Sequence, residues 1–227
     1  MSPRATQETT WTKVDHYLSE KLIPADPILD QTLRANSAAR LPSIDVSPLQ
    51  GKFLHLLARI ANARRILEIG TLGGYSTIWL ARALPREGRL ITLEVSPKHA
   101  EVARANIAHA GLAPLVDLRI GPALESLKQL QAENTAPFDL IFIDADKANN
   151  PNYLEAALNL SHPGTIILTD NVIREGAILE ANSDDPAIQG TRRMFDILST
   201  HPRLDATALQ TVGVKTYDGF ALARVRD

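Results

Sequence analysis

The sequence predicts an α/β protein whose mostly parallel sheet carries helices on both faces. From about Ala63 onward, short runs of β-forming residues alternate with stretches of helical periodicity, which is the pattern of repeated βαβ units. Two of these runs, Ile66-Leu67 and the segment 140–143, are continuously apolar, as strands buried on both faces are. Such sheets bind ligands beyond the carboxyl ends of their strands, so the residues that follow each strand are the first candidates for a site.

The predicted elements follow one another in a regular order. Strands are expected at Arg65–Ile69, 90–94, Val116–Ile120, Phe138–Ile143 and 165–169, with helices between them at 76–84, 97–110, 124–132 and 153–160. Ser96 followed by Pro97 is a typical helix start, and Gly111 can close that helix in the left-handed conformation. One more helix, 189–200, precedes two final strands at 205–210 and 219–224, which we expect to form an antiparallel pair.

The first part of the chain has a different character. Two stretches of helical pattern, 11–22 and 51–60, flank a proline-rich passage. This segment is too short and too closely joined to the first strand to form an independent domain. We therefore expect a single domain over residues 1–227, in which 1–62 is a helical cap or subunit contact and 63–227 is the α/β core.

Length and composition exclude several classes of protein. The 227 residues include 24 Lys and Arg against 26 Asp and Glu, and this weak negative charge argues against broad binding to nucleic acid or to anionic membranes. Cysteine is absent, which excludes disulfides, cysteine-ligated metal centres and thiol nucleophiles. No apolar run approaches the roughly 20 residues of a membrane-spanning helix, and the polar N-terminus does not resemble a signal peptide. We therefore expect a cytoplasmic protein.

A glycine-rich turn follows the first predicted strand. It reads EIGTLGGYS over residues 68–76, and Gly70, Gly73 and Gly74 allow the backbone to approach a ligand closely. The backbone N–H groups of the turn and of the next helix would face that ligand. The second strand ends in Glu94, whose carboxylate can accept two hydrogen bonds from a ribose diol. Together these features favour an adenosine-containing cofactor over a merely tight turn.

The details of the turn narrow the choice of cofactor. Leu72 stands where a dinucleotide fingerprint has its second glycine, and the chain has no G-x-x-x-x-G-K-[ST] motif for a P-loop. Glu68 would repel a phosphate. It suits a cationic or amine-bearing ligand instead, such as the amino-acid end of S-adenosylmethionine.

Oxygen donors follow two further strands. The fourth strand ends in IDADK, residues 143–147, and the fifth in TDN, residues 169–171. In a parallel sheet these ends are neighbours, so Asp144, Asp170 and Asn171 would converge on one point. Two carboxylates and an amide oxygen suit Mg²⁺ or Ca²⁺, and Lys147 can reach the same pocket. Each residue alone could simply cap a turn; their convergence favours a site.

This arrangement suggests a reaction. A divalent ion can hold two adjacent hydroxyl oxygens and lower the pKa of a bound phenol. Lys147 would accept the proton when it is neutral. The methyl group of a sulfonium held beside the resulting oxyanion would then transfer by direct displacement, largely through positioning.

The same residues resemble the cation-dependent, S-adenosylmethionine-dependent O-methyltransferases, the group that contains catechol and caffeoyl-CoA O-methyltransferases and many small bacterial relatives. The likeness runs from about Trp11 to Arg224. Its specific parts are EIGTLGGYST, Glu94, GPALESL at 121–127, IDADK, TDN and KTYDGFALA at 215–223. The resemblance implies a Rossmann-like sheet of seven strands, the last of them antiparallel.

The resemblance also implies roles by position. Contacts to S-adenosylmethionine would come from Val46, through its backbone, and from Glu68, Gly70, Thr71, Ser76, Glu94, Ala123 and Asp144. Asp144, Asp170 and Asn171 would hold the cation, with Mg²⁺ ahead of Ca²⁺ or Mn²⁺, and Lys147 would be the general base or the group that positions the phenol. The implied protein is a homodimer that methylates a small phenolic molecule, a vicinal diphenol of the catechol type.

One departure and several alternatives stay open. Many relatives have Tyr soon after the IDADK lysine, as in K-x-N-Y, whereas this chain reads KANNPNY. We expect Asn149, Asn150 and Tyr217 to shape the acceptor pocket without being catalytic. The alternative functions are methylation of a hydroxylated tRNA uridine, nucleotide binding without catalysis, and an NAD-dependent oxidoreductase that binds its dinucleotide despite Leu72.

Overall fold

A seven-stranded sheet forms the centre of the part of the chain that the structure describes. The structure is a computed structural model that describes residues 3–227, with side chains from residue 10 onward. The helices are α1 Pro3–Leu22, α2 Pro27–Ala38, α3 Pro48–Ile60, α4 Tyr75–Ala81, α5 Pro97–His109, α6 Ala123–Ala132, α7 Asn150–Asn159 and α8 Pro186–Thr200. The strands are β1 Arg65–Ile69, β2 Arg89–Glu94, β3 Val116–Ile120, β4 Phe138–Ile143, β5 Ser161–Asp170, β6 Leu204–Gly213 and β7 Thr216–Val225.

The strand order is β3-β2-β1-β4-β5-β7-β6. Strands β1 to β5 pair in parallel, and β7 runs antiparallel to both of its neighbours, β5 and β6. The predicted fold class, with its antiparallel last strand, is therefore confirmed. Connections through helices explain the parallel pairs, because parallel neighbours need a crossover, whereas β6 and β7 are joined by a short turn.

The register of the strands brings their carboxyl ends to one edge of the sheet. Ile69 at the end of β1 pairs with Leu93 in β2 and with Ile143 in β4. Ile143 in turn pairs with Thr169 of β5. The residues that follow these positions are therefore side by side, which is the arrangement that the sequence analysis required of the site.

Both faces of the sheet are buried. On β1, Leu67 and Ile69 pack in the core that contains Leu127 of α6 and Met194 of α8. The alternate residue Ile66 packs in the opposite core, which contains side chains of α3, α4 and α5. Side chains along a strand alternate between the two faces of the sheet. A strand that is covered by helices on both faces is therefore apolar at successive positions.

Helix α2 is the main element that the sequence analysis missed. The proline-rich passage contains a helix because Pro27 and Pro48 stand at helix starts, where a missing N–H costs nothing, while Pro24 and Pro42 lie between the helices. Asp26 caps α2 by accepting hydrogen bonds from the N–H groups of Ile28 and Leu29, each at 3.1 Å, and Pro27 is its first residue. Ser47 and Pro48 begin α3 in the same way.

Other boundaries differ by a few residues. β5 begins four residues before its predicted start, because a bulge lets the strand continue through Gly164, which adopts a φ of +94°. The final strands are also longer than predicted, and α8 begins at Pro186 behind the cap Asp185. The division of the chain at residue 62 stays a prediction. Within residues 3–227, none of the helices combines the length and the apolar character needed to cross a membrane.

Candidate active site

The turn after β1 lies directly against the end of β4. Gly70 has a φ of +104°, and a Cβ at this position would be 2.0 Å from the carbonyl oxygen of Asp144. The N–H of Asp144 donates to the carbonyl of Ile69 at 2.8 Å. Only glycine combines this left-handed backbone with so close an approach. The glycine turn and the aspartate strand end therefore form one site.

Gly73 packs against a side chain of the N-terminal segment, and its predicted approach to a ligand stays a prediction. A Cβ there would lie 1.9 Å from Oδ1 of Asn36, so the close approach is to a side chain of α2. Asn36 is buried, donates to Asp45 at 2.8 Å, and accepts a hydrogen bond from Asn106 at 3.0 Å; Asn106 also donates to the carbonyl of Gly73 at 2.8 Å. The N-terminal segment thus helps to hold the glycine turn.

Glu68 lies beneath the turn and is fully buried. Its carboxylate accepts hydrogen bonds from Ser76 at 2.6 Å, from Thr92 at 2.7 Å and from Thr77. Burial raises the pKa of Glu68 to about 7, while the three hydroxyl donors oppose that rise. In this structure Glu68 links β1 to α4 and β2. Its predicted contact with the cofactor stays a prediction.

Glu94 stands at the rim of the same turn. One carboxylate oxygen accepts hydrogen bonds from the N–H groups of Leu72 at 2.8 Å and Thr71 at 3.3 Å. The other accepts from the N–H of Ser96 at 2.9 Å. The hydroxyls of Thr71 and Thr92 are 2.6 Å apart, which joins this part of the site to Glu68. These three donors occupy three of the roughly four lone-pair positions of the carboxylate, which leaves one on Oε1 for a ribose hydroxyl.

Asp170 and Asn171 end β5 next to the end of β4. Asp170 is 5% exposed, and its Oδ1 accepts a hydrogen bond from the N–H of Asn171 at 2.9 Å. Asn171 adopts a φ of +54°, a conformation that asparagine tolerates better than most residues. Burial and the neighbouring Asp144 raise the pKa of Asp170 to about 7, and Lys147 opposes the rise.

Lys147 is held against Asp144. Its Nζ donates to Asp144 Oδ1 at 2.7 Å, and the side chain is 8% exposed. The residue lies in a short 3₁₀ helix, Lys147–Asn149, directly after β4. The structure therefore brings together Asp144, Lys147 and Asp170, as the sequence analysis expected of the strand ends.

The donor set fits a hard divalent cation. Two carboxylates and an amide are oxygen ligands of the kind that Mg²⁺ takes, and a positive charge would relieve the repulsion between Asp144 and Asp170. In the described part of the chain, no cluster of three or more His, Cys, Asp or Glu side chains could hold a metal. A site here therefore needs Asn171 as well as the two carboxylates.

Two further predicted cofactor residues, Ala123 and Val46, belong to other parts of the chain. Ala123 is the first residue of α6, after Gly121, which adopts a φ of +142°. Val46 lies between α2 and α3 in the sequence and is buried in the core that contains side chains of α3, α4 and α5. The roles of both stay predictions that rest on the resemblance.

A cavity of about 250 Å³ opens beside Asp170 and Asn171. Leu49 and Phe53 of α3 and Phe220 of β7 line its apolar part. The rings of Phe53 and Phe220 are 5.2 Å apart between centroids. Local sequence pattern did not predict this wall, although Phe220 lies in the quoted KTYDGFALA motif and pairs with Asp170 across β5 and β7.

Asn149, Asn150 and Tyr217, which we expected near the acceptor, do not line this cavity. Asn149 donates to Asp146 at 2.6 Å, and Tyr217 donates to Gln210. Asn150 is fully buried, and its amide has no hydrogen-bond partner among the described residues. Tyr153, the late tyrosine of KANNPNY, also donates to Asp146.

Comparisons with known proteins identify the family of this chain. A family model described as O-methyltransferase matches residues 19–226. The catechol O-methyltransferase of Niastella koreensis is 55% identical over 213 residues, which cover 94% of this chain and 96% of that protein.

Solved structures are similar along almost the whole chain. An O-methyltransferase from Bacillus cereus in complex with SAH is 58% identical, with a TM-score of 0.95 over 96% of this chain and 99% of that one. The O-methyltransferase TomG from Streptomyces achromogenes in complex with SAM is 47% identical, with a TM-score of 0.94 over 97% of this chain and 99% of that one. The prediction of an enzyme that transfers a methyl group to oxygen is confirmed, and the chain belongs to the O-methyltransferase family.

Proposed function

We propose that this protein transfers a methyl group from S-adenosylmethionine to one hydroxyl of a vicinal diphenol, and that the reaction depends on a divalent cation. The observation that carries the proposal is that Asp144 and Asp170 lie close together beside the glycine turn, with Asn171 directly after Asp170 at the edge of the cavity. The name of the Niastella koreensis relative, catechol O-methyltransferase, supports the choice of acceptor.

Different residues would hold the cofactor and the cation. When bound, S-adenosylmethionine supplies an electrophilic sulfonium methyl, and the divalent cation supplies positive charge that acidifies a hydroxyl. Asp144, Asp170 and Asn171 would hold the cation. The glycine turn and Glu94 would bind the cofactor, with Glu94 accepting hydrogen bonds from its ribose.

Lys147 controls the proton of the acceptor hydroxyl. Its Nζ is nearly buried and 2.7 Å from Asp144, so it does not move freely in solvent. A neutral Lys147 would take the proton at Nζ, and a charged Lys147 would donate a hydrogen bond to the oxygen that has lost it. If Lys147 acts as a base, the rate is expected to rise with pH. If it acts as a charged donor, the rate is expected to fall when the lysine loses its proton.

The cavity beside Asp170 would bind the acceptor ring. Leu49, Phe53 and Phe220 offer an apolar wall, and an aromatic pair at 5.2 Å suits edge or offset contacts with a third ring. A vicinal diphenol fits this combination because its ring is apolar and its two hydroxyls lie on one edge.

The test is methyl transfer from labelled S-adenosylmethionine to 1,2-dihydroxybenzene with Mg²⁺. Excess chelator is expected to lower the rate by at least about 100-fold, and added Mg²⁺ to restore it. The matched acceptor 2-methoxyphenol has one free hydroxyl on the same ring and is expected to turn over poorly. Full activity in chelator would contradict the cation dependence, and faster methylation of a hydroxyuridine tRNA would contradict the acceptor.

We further propose a homodimer in the cytoplasm that acts on small molecules rather than on nucleic acid or membranes. Exposed apolar side chains on α1 and β6 support a subunit contact, among them Tyr17, which is 59% exposed, and Leu209. Light scattering is expected to give twice the mass of the 24.8 kDa chain. A monomer at micromolar concentration would contradict this part of the proposal.

A further inference from the structure

Gln50 reaches the candidate cation site from outside the α/β core. Its Nε2 donates to Asp170 Oδ2 at 2.6 Å, across 120 positions of sequence. The carboxyl group is buried, and when it is ionised a hydrogen bond to it is stronger than one between neutral groups.

The backbone of Gln50 is fixed as well as its side chain. Ser47 caps α3 by accepting a hydrogen bond from the N–H of Gln50 at 3.2 Å, and Pro48 follows as the first helical residue. One turn later Phe53 packs against Phe220. The first turn of α3 therefore holds the amide of Gln50 at Asp170 by the same packing that forms the cavity wall.

The two oxygens of Asp170 have donors from two different elements. Asn171 donates to Oδ1 along the chain, and Gln50 donates to Oδ2 from α3. With only the first donor the carboxylate could turn about its terminal bond, because that torsion has broad minima. With both donors its plane is set.

We propose that Gln50 is a positioning residue that orients the carboxylate of Asp170 for the divalent cation and thereby sets the affinity of the site. The inference rests on the proposed function, since it takes Asp170 as a cation ligand. Partners of ligating carboxylates typically contribute 10- to 100-fold in metal affinity or activity. Gln50 also lines the cavity with Asp170 and Asn171, so the cation site and the acceptor pocket share this residue.

The experiment measures cation binding directly. Mn²⁺ is titrated by calorimetry into the full chain saturated with S-adenosylhomocysteine, for the wild type and for Gln50→Met. Met has a similar size but donates no hydrogen bond, so a packing role would survive the change. We expect the Mn²⁺ dissociation constant to rise by about 10- to 100-fold, while the affinity for S-adenosylhomocysteine and the thermal midpoint stay close to those of the wild type.

Two further variants keep the outcome clear. Gln50→Asn keeps an amide but shortens the side chain, and it is expected to weaken Mn²⁺ binding as Gln50→Met does. This variant provides the test if Gln50→Met folds poorly. Gln129→Met makes the same change at an exposed position on α6 and is expected to bind Mn²⁺ like the wild type. Wild-type affinity in both Gln50 variants would overturn the inference, whereas a wild type that binds no Mn²⁺ would overturn the proposed cation dependence itself.

Discussion

Gly190 of α8 lies against the backbone of Lys147. A Cβ placed on Gly190 would be 2.3 Å from the carbonyl oxygen of Lys147 and 2.7 Å from the Cα of Ala148. The helix therefore supports the lysine through main-chain contact, and a residue far along the sequence determines where the lysine stands.

Replacing Gly190 with Ala is expected to displace Lys147 and lower kcat. The added methyl would overlap the backbone after β4, and such overpacking typically costs about 1–3 kcal/mol. Ala is favoured over Gly in a helix by about 1 kcal/mol, so the free energy of unfolding is expected to fall by about 0–2 kcal/mol. Because a misplaced catalytic group can cost about 100-fold in rate, steady-state kinetics should show a loss of that order.

The control for Gly190→Ala is Arg193→Ala, at an exposed position on the same helix. It is expected to leave kcat and thermal stability unchanged. A Gly190→Ala enzyme with wild-type kcat would show that the 3₁₀ helix of Lys147 adapts without penalty, which would contradict the supporting role of α8.

Replacing Lys147 with Met is expected to remove most of the activity. The change deletes the ammonium that is 2.7 Å from Asp144, and loss of an acid–base group typically costs about 10²- to 10⁴-fold in rate. Calorimetry with S-adenosylhomocysteine should still detect binding, because the glycine turn and Glu94 are untouched.

Lys128 offers a matched control for Lys147. Lys128 pairs with Glu125 at 3.0 Å in the same i,i+3 spacing, but its side chain is exposed. Lys128→Met is therefore expected to leave the rate unchanged. Equal activity in Lys147→Met and Lys128→Met would contradict a role for Lys147 at the reacting oxygen.

The parts of the fold that local pattern determines could be predicted from the sequence. The strands of the core were predicted because each is a short run rich in β-forming residues, and the meeting of Asp144 with Asp170 followed from the rule for carboxyl ends of parallel strands. Helix α2 was missed because four prolines dominate its surroundings, although Asp26 and Pro27 form an ordinary helix start.

Contacts between distant segments could not be predicted in this way. Gln50 meets Asp170, and Gly190 meets Lys147, only because α3 and α8 pack at defined angles on the sheet. The residues of each pair are far apart in the sequence, so no sequence motif could predict their contact. The glycine at position 73 shows the same limit, since its contact with the side chain of Asn36 joins two segments that no motif relates.

Replacing Glu68 with Gln is expected to stabilise the apoprotein at alkaline pH. The folded protein raises the pKa of Glu68 from 4.5 to about 7, so the native state binds this proton more tightly than the unfolded chain does. The stability from this proton is complete below the unfolded pKa and is lost as the pH rises through about 7. Gln behaves as a permanently neutral side chain, and each of the three hydroxyls around it can donate or accept.

Urea unfolding of apoprotein at about pH 6 and about pH 8.5 measures this difference. The free energy of unfolding of Glu68→Gln is expected to exceed that of the wild type by an amount that grows with pH and reaches roughly 3 kcal/mol above pH 7. Glu101→Gln, an exposed change on α5, is the control and should show no such growth. A Glu68→Gln variant with the pH dependence of the wild type would mean that Glu68 is already ionised when the protein is folded.

A histidine and an aspartate form a pair at the opposite edge of the sheet, where the strands begin. His162 Nε2 is 2.9 Å from Asp139 Oδ1, and the second oxygen of Asp139 accepts hydrogen bonds from the N–H groups of Arg64 and Arg65 at 2.7 and 2.8 Å. The hydrogen bond to Asp139, and then the carbonyl of Pro163, raise the pKa of His162 above its ordinary 6.5. The charged pair thus joins the starts of β1, β4 and β5.

His162→Gln is expected to destabilise the protein in acid only. Stabilisation by the protonated imidazole is complete below pH 6.5 and disappears as the pH rises through the raised pKa. The imidazole is 38% exposed, so solvent screens the pair and the loss near pH 5.5 should be about 0.5 kcal/mol. Unfolding should show this difference from the wild type shrinking toward pH 8.5, with His109→Gln at an exposed site on α5 as the control. A difference that is constant with pH would mean that His162 acts as a neutral hydrogen-bonding group rather than as a cation.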